Sequence, residues 1–145
     1  MLATIQRVSE ARVSIEGKIF SEIGPGLVIF VCIEKDDSMQ SITSMVGKII
    51  NFKMLDVFKE SKPCSLKDAN EEALVVSQFT LAAITNKGNK PSFHKSAKPE
   101  EAKLLYDEFM SLFEGSYGKV KQGKFGAFME ISLINKGPIT FNFKT

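Results

Sequence analysis

The apolar run Leu27-Val28-Ile29-Phe30-Val31-Cys32-Ile33 constrains this chain more than any other feature. It is too short to cross a membrane, which takes roughly 18 consecutive apolar residues. Gly24-Pro25-Gly26 breaks the chain in front of it and Glu34 ends it behind. A short apolar run between such breakers reads as a strand buried on both faces. A strand of that kind needs a layer on each side. The period then changes. Ile42, Met45, Val46, Ile49 and Ile50 recur at helical spacing, which predicts a helix over about Ser38–Asn51 capped by Asp37 or Ser38. A second helix starts near Pro99, with Glu100 and Glu101 in its first turn and Ala102, Leu105, Phe109 and Leu112 as its core face.

The remaining segments are β. Leu2, Thr4, Gln6 and Val8 alternate with Ala3, Ile5 and Arg7, and Arg12–Ile15 and Lys18–Ile23 flank a Glu16-Gly17 hairpin turn. Further strands are predicted at Phe52–Phe58, Glu72–Leu81, Tyr117–Phe125, Ala127–Ile134 and Ile139–Phe143, with Lys59–Asn70 polar and turn-rich. The order β-β-β-α-β-β-α-β-β-β gives an α+β or layered α/β domain with two main helices rather than a doubly wound parallel sheet. With 145 residues, no repeat and no linker, one domain over 1–145 is expected.

Composition removes several chemistries. The chain has one histidine, His94, and two cysteines, Cys32 and Cys64. Structural zinc usually takes four Cys/His ligands, and these three are not at ligand spacing. A Ser-His-Asp triad would have to run through His94 alone, and two cysteines make no disulfide framework. Cys32 reads as a buried, inert thiol. Met1–Ser9 alternates and carries Arg7, unlike a signal peptide, so a soluble cytoplasmic protein without a membrane partner is expected. Lys+Arg of 19 against Asp+Glu of 17 gives a formal charge of +2, which argues against a polybasic nucleic-acid wrapper but allows local basic patches.

Three segments carry candidate chemistry. Ser77-Gln78-Phe79-Thr80-Leu81 closes a buried β run with polar side chains. It reads either as ordinary alternation or as a strand end whose N–H groups stabilise an oxyanion and whose hydroxyls orient a substrate or water. Asn135-Lys136-Gly137-Pro138-Ile139-Thr140 reads either as a simple turn or as a rigid backbone wall that sorts ligands by shape. Ile84–Lys98 holds Lys87, Lys90, Lys95 and Lys98 without an acid, and Gly115–Phe125 holds Lys119, Lys121 and Lys124 without one. These are either solvated lysine loops or a phosphate-binding surface. His94, in the first lysine loop, has no orienting carboxylate near it in sequence.

Together these residues resemble the D-aminoacyl-tRNA deacylase family in its bacterial and eukaryotic form. The likeness runs end to end. It covers Ile5-Gln6-Arg7-Val8, Gly24-Pro25-Gly26-Leu27 and Val75 through Leu81. It continues through Lys87-Gly88-Asn89-Lys90-Pro91-Ser92-Phe93, Phe125-Gly126-Ala127 with Met129, and Asn135 through Thr140.

The resemblance implies a barrel-like, mixed and mostly antiparallel sheet with helices packed on it. It implies hydrolysis of the ester between a D-amino acid and the 3′ end of tRNA by a homodimer, with no cofactor, metal or DNA partner. In the family the Gly-Pro peptide is cis and enters the partner's active site; here that is Gly137-Pro138. Its carbonyls would fill the space an L side chain needs and accept from the substrate amino group, while glycyl-tRNA would pass. Ser77, Gln78, Phe79 and Thr80 form the other wall, with Met129, Phe125, Gly126 and Ala127 lining the substrate and adenosine pocket. Lys87, Lys90, Lys95, Lys119 and Lys121 are candidate phosphate contacts. Two catalytic accounts stand: attack by Thr80 through an acyl-enzyme, or water activated with help from the adenosine 2′-hydroxyl. The second is favoured because no base for Thr80 is visible and an aminoacyl ester is already reactive. Lys136 stands where the family often has an acid, and Lys90 where arginine is common, which replaces a bidentate contact by a point charge. The alternative is a tRNA-binding homodimer of the same fold that has lost the reaction.

Overall fold

A computed structural model describes residues 1–56, 62–86 and 88–145. Its elements are β1 (Leu2–Ile15), β2 (Lys18–Ile23), β3 (Gly26–Cys32), α1 (Met39–Asn51), β4 (Leu55–Asp56), β5 (Pro63–Cys64), α2 (Leu66–Ala69), β6 (Glu72–Ser77), a 3-10 turn (Phe79–Ala82), α3 (Pro99–Tyr117), β7 (Val120–Gln122) and β8 (Glu130–Lys144). The main sheet runs β2-β1-β3-β6-β7, with β8 on the other side of β1. β1 is antiparallel to β2, β3 and β8, whereas the β3–β6 and β6–β7 pairs are parallel. The result is a mixed, nearly closed sheet with helices outside it.

The apolar run in β3 is buried on both faces because its alternate residues enter two cores. Leu27, Ile29 and Val31 join Ala73 and Val75 of β6 beneath the helices, while Val28 joins Leu74, Val76, Val8, Val13 and Ile23 inside the curled sheet. α1 presents the predicted face, Ile42, Met45, Val46, Ile49 and Ile50, all buried. In α3 the deepest seats go to Tyr106, Phe109, Met110 and Phe113; Ala102, Leu105 and Leu112 flank them, half-buried. The large rings fill the gap over the sheet, so the buried face is rotated from the one expected. Gly118 ends α3 at φ 80, a left-handed C-terminal cap. The Glu16-Gly17 turn has φ of 51 and 74, the pair of positive values a two-residue hairpin of this kind requires.

Several expected strands differ. Leu2–Val8 and Arg12–Ile15 are halves of one long β1. The strand expected at Ala127–Ile134 begins only at Glu130, with Ala127–Met129 in the turn before it, and it runs on through Ile139–Phe143 as one β8, which carries Asn135 through Thr140 inside it rather than as a turn. Those residues face register shifts opposite Gln6, Val8 and Glu10, where a bulge absorbs the irregularity. Of Phe52–Phe58, the described strand is Leu55–Asp56: the Phe52 N–H donates to the Lys48 carbonyl at 2.9 Å and closes α1, while its ring packs edge-on to Phe141 and Phe143. Val57 and Phe58, with Lys59, Glu60 and Ser61 of the next segment, lie outside the described residues. Glu72–Leu81 stops at Ser77, and Tyr117–Phe125 shrinks to Val120–Gln122, because α3 consumes Tyr117 and a turn takes Phe125. Lys59–Asn70 contributes β5 and the short α2. Cys32 and Cys64 are both buried, and neither is in a disulfide. Among the described residues, no helix is long and apolar enough to cross a membrane.

Candidate active site

β6 ends where its parallel partner runs out. Ser77 pairs with Val31, and the Gln78 N–H donates to the Val31 carbonyl at 2.7 Å. The chain then tightens into the 3-10 turn, with Leu81 N–H on the Gln78 carbonyl at 3.2 Å and Ala83 N–H on the Thr80 carbonyl at 3.0 Å. A helical first turn leaves leading N–H groups without intrahelical acceptors. Those of Phe79 and Thr80 have no acceptor among the described residues. The Phe79 carbonyl is held by the Ser96 hydroxyl at 3.1 Å and approached by the Cys32 thiol at 3.5 Å. The Thr80 hydroxyl accepts from the Gln78 side-chain amide.

A cavity of about 680 Å³ lies beside this turn. Ser77, Gln78 and Phe79 line one side, and Phe125, Gly126, Ala127 and Met129 line another. The second group sits on the turn between β7 and β8, where Gly126 takes φ +76, a conformation L side chains rarely adopt. Among the described residues, nothing charged lines the cavity. Burial pushes the Cys32 thiol up and does the same to the Tyr106 phenol, so both wall groups stay neutral at neutral pH. Thr80 is exposed beside the cavity rather than part of its lining. His94 is exposed, with Nδ1 3.0 Å from the Ser92 hydroxyl, and does not line the cavity.

Gly137 and Pro138 do not reach the cavity of their own chain; they are exposed on β8, joined by a cis peptide. Two residues without an assigned role hold this stretch. Arg7, 7% exposed, donates from Nε to the Lys136 carbonyl at 3.0 Å and from Nη2 to the Gly137 carbonyl at 3.2 Å. The Asn135 amide donates back to the Arg7 carbonyl at 2.9 Å and to the Ile139 carbonyl at 3.3 Å. The sequence signal was there: Arg7 is the charged residue at an inward position of the Ala3, Ile5, Arg7 alternation.

The lysines divide. Lys90 and Lys95 are exposed on the loop before α3. Lys119 donates to the Asn70 carbonyl at 3.0 Å. Lys121 pairs with Glu72 at 3.0 Å and donates to the Glu22 carbonyl at 2.7 Å. Lys87 lies outside the described residues.

The family model described as D-Tyr-tRNA(Tyr) deacylase matches residues 4–144. The chain belongs to this family. Its relatives include the D-aminoacyl-tRNA deacylase of Thermodesulfovibrio yellowstonii, 42% identical over 145 residues and covering 100% of this chain and 99% of the relative. That of Flavobacterium psychrophilum is 49% identical over 141 residues, covering 97% and 94%. A solved structure of the c-Myc DNA Unwinding Element Binding Protein superposes with a TM-score of 0.95 at 36% identity, covering 100% of this chain and 99% of that one. Another, described as a probable eukaryotic D-amino acid tRNA deacylase, shares the fold with a TM-score of 0.88 at 18% identity, covering 99% and 98%. Family membership carries the activity with it: the chain is a hydrolase acting on the ester bond of D-aminoacyl-tRNA.

Proposed function

We propose that the ester is cut in the uncharged cavity beside the 3-10 turn, by positioning and backbone hydrogen bonding rather than by a side-chain nucleophile. The observation that carries this is the pair of N–H groups of Phe79 and Thr80, without an acceptor among the described residues, at the edge of a cavity whose described lining carries no charged side chain. Water adds to the ester carbonyl carbon, helped by the 2′-hydroxyl of the terminal adenosine. The tetrahedral oxyanion is met by N–H donors, which act strongly where water is excluded. The bond to the ribose 3′ oxygen then breaks, that oxygen takes a proton, and free D-amino acid and tRNA leave. Ser77 and Gln78 orient the ester, and Phe125, Gly126, Ala127 and Met129 hold the adenosine end. This chemistry needs neither metal nor cofactor.

Chirality is read by a second subunit. In this reading the protein is a cytoplasmic homodimer of single-domain chains, and Gly137-Pro138 of one protomer closes the cavity of its partner. The Gly137 carbonyl already accepts from Arg7, but a carbonyl oxygen has two lone pairs, so it still accepts from the substrate amino group. An L side chain meets this backbone wall, a D side chain points away, and glycine passes. Lys90 and Lys95, with Lys87, meet tRNA phosphates. Lys119 and Lys121 contribute charge from positions already anchored to backbone carbonyls.

The Thr80 hydroxyl accepts a hydrogen bond from Gln78, and among the described residues no ionisable side chain is hydrogen-bonded to it, which supports the water route. Thr80→Ala should therefore keep single-turnover deacylation of D-tyrosyl-tRNA within about tenfold of wild type, a barrier change of roughly 1.4 kcal/mol. Loss of a covalent nucleophile would instead cost on the order of 10⁴-fold or more. A loss of that size with folding and tRNA binding intact would restore the acyl-enzyme route.

A further inference from the structure

Gly123 follows β7 and is buried, and its N–H donates to the Val75 carbonyl at 2.8 Å. Its φ lies outside the left-handed region, so the backbone there would suit any residue. Space, rather than conformation, demands glycine. A Cβ at this position would lie 2.7 Å from Met129 Sδ, 3.6 Å from Met129 Cε and 3.9 Å from Val13 Cγ1. Ordinary contacts between such atoms sit near 3.5–4.0 Å, so something must give. Val13 is fully buried in the inner core and cannot withdraw. Met129 is half-buried, has a flexible unbranched side chain, and lines the 680 Å³ cavity. Its free direction is into that cavity.

We propose that Gly123 is a positioning residue for the deacylation reaction: by carrying no side chain it seats the Met129 thioether against the sheet and so sets the width of the adenosine end of the cavity. The inference rests on the reading that Met129 lines the adenosine end. A side chain at 123 drives the sulfur into space that every substrate uses, whatever its amino acid.

The test compares wild type, Gly123→Ala, Met129→Ala and the double variant. Two readouts are taken. One is KM and kcat on D-tyrosyl- and D-alanyl-tRNA. The other is the Kd for an amide analogue that joins D-tyrosine to 3′-amino-3′-deoxyadenosine and cannot be hydrolysed. Gly123→Ala should raise KM and Kd about tenfold, the scale of overpacking a site by one methyl, with kcat within about twofold. The factor should be the same for both amino acids. In the Met129→Ala background the same substitution should change neither quantity by more than about twofold. Should Gly123→Ala fold only in that background, the clash itself is shown and the inference stands. Wild-type KM and Kd in folded Gly123→Ala, a full multiplicative loss in the double variant, or a penalty confined to one amino acid would each overturn it. If wild type binds the analogue without deacylating tRNA, the activity reading fails while the Kd comparison still decides the role of Gly123.

Discussion

Gly26→Ala is expected to abolish the cooperative unfolding transition or lower its midpoint by more than about 10 °C, a loss of a few kcal/mol in a chain of this size. Gly26 opens β3 opposite Glu72, in the parallel pair at the centre of the molecule. A Cβ there would lie 1.9 Å from the Glu72 carbonyl oxygen and 2.8 Å from its carbon. The obstacle is backbone, not the end of a flexible side chain. That backbone is fixed on one face by the core under the helices and on the other by the core inside the sheet. Parting the strands to admit a methyl would break the ladder that brings Ser77 to its place. Gly47→Ala is the matched control: it lies in α1 with nothing within 4 Å of the added atom. Alanine should leave stability unchanged or raise it, since glycine inside a helix costs roughly 0.5–1 kcal/mol. Thermal melts of the two variants decide the matter, and a Gly26→Ala midpoint within two or three degrees of wild type, about what 1 kcal/mol gives, would contradict the packing account.

Arg7→Ala is expected to lower the preference for D- over L-tyrosyl-tRNA by on the order of 10²-fold, the scale that follows from moving a positioned group by about an ångström. Arg7 sits at the register break of β1 and its guanidinium bonds the Lys136 and Gly137 carbonyls directly. Without it those carbonyls lose these donors, and the wall proposed to exclude L side chains loses its anchor. Arg7→Lys should recover only part of the preference, because an ammonium cannot reproduce the planar fork that reaches two acceptors at once. The buried Arg7 also contributes to stability, so melts accompany the rates. Selectivity is a ratio within one variant, and a general loss of folded protein leaves it unmoved. An Arg7→Ala enzyme that stays folded with wild-type selectivity would remove Arg7 from the chiral filter.

Local pattern made the helices and the central strand legible. Ile42 through Ile50 announced α1 because a helix face repeats in sequence, and Leu27 through Cys32 announced β3 because burial on both faces removes every polar residue. β1 and β8 were harder: each is one strand whose register shift breaks the alternation, at Arg7-Val8 in one and near Asn135 in the other, so the pattern reads as two segments. β4, β5 and β7 are two or three residues long, too short to show a period. At the site, Ser77 through Phe79 and Phe125 through Met129 line one cavity, a juxtaposition that the family resemblance implies and that no local pattern carries. The holding contacts of Arg7, Asn135 and Ser96 reach across the chain. Arg7 and Lys136 are 129 positions apart, and pattern within a window cannot register such a pair.

In the proposed mechanism backbone donors stabilise the oxyanion as water cuts the ester, while a backbone wall from the partner refuses the L enantiomer. Single-turnover deacylation of D- and L-tyrosyl-tRNA by the wild-type protein, side by side, probes the two together. Rapid release of D-tyrosine is expected, with an L rate indistinguishable from spontaneous hydrolysis. Equal enzymatic rates on the two enantiomers would rule out the backbone wall.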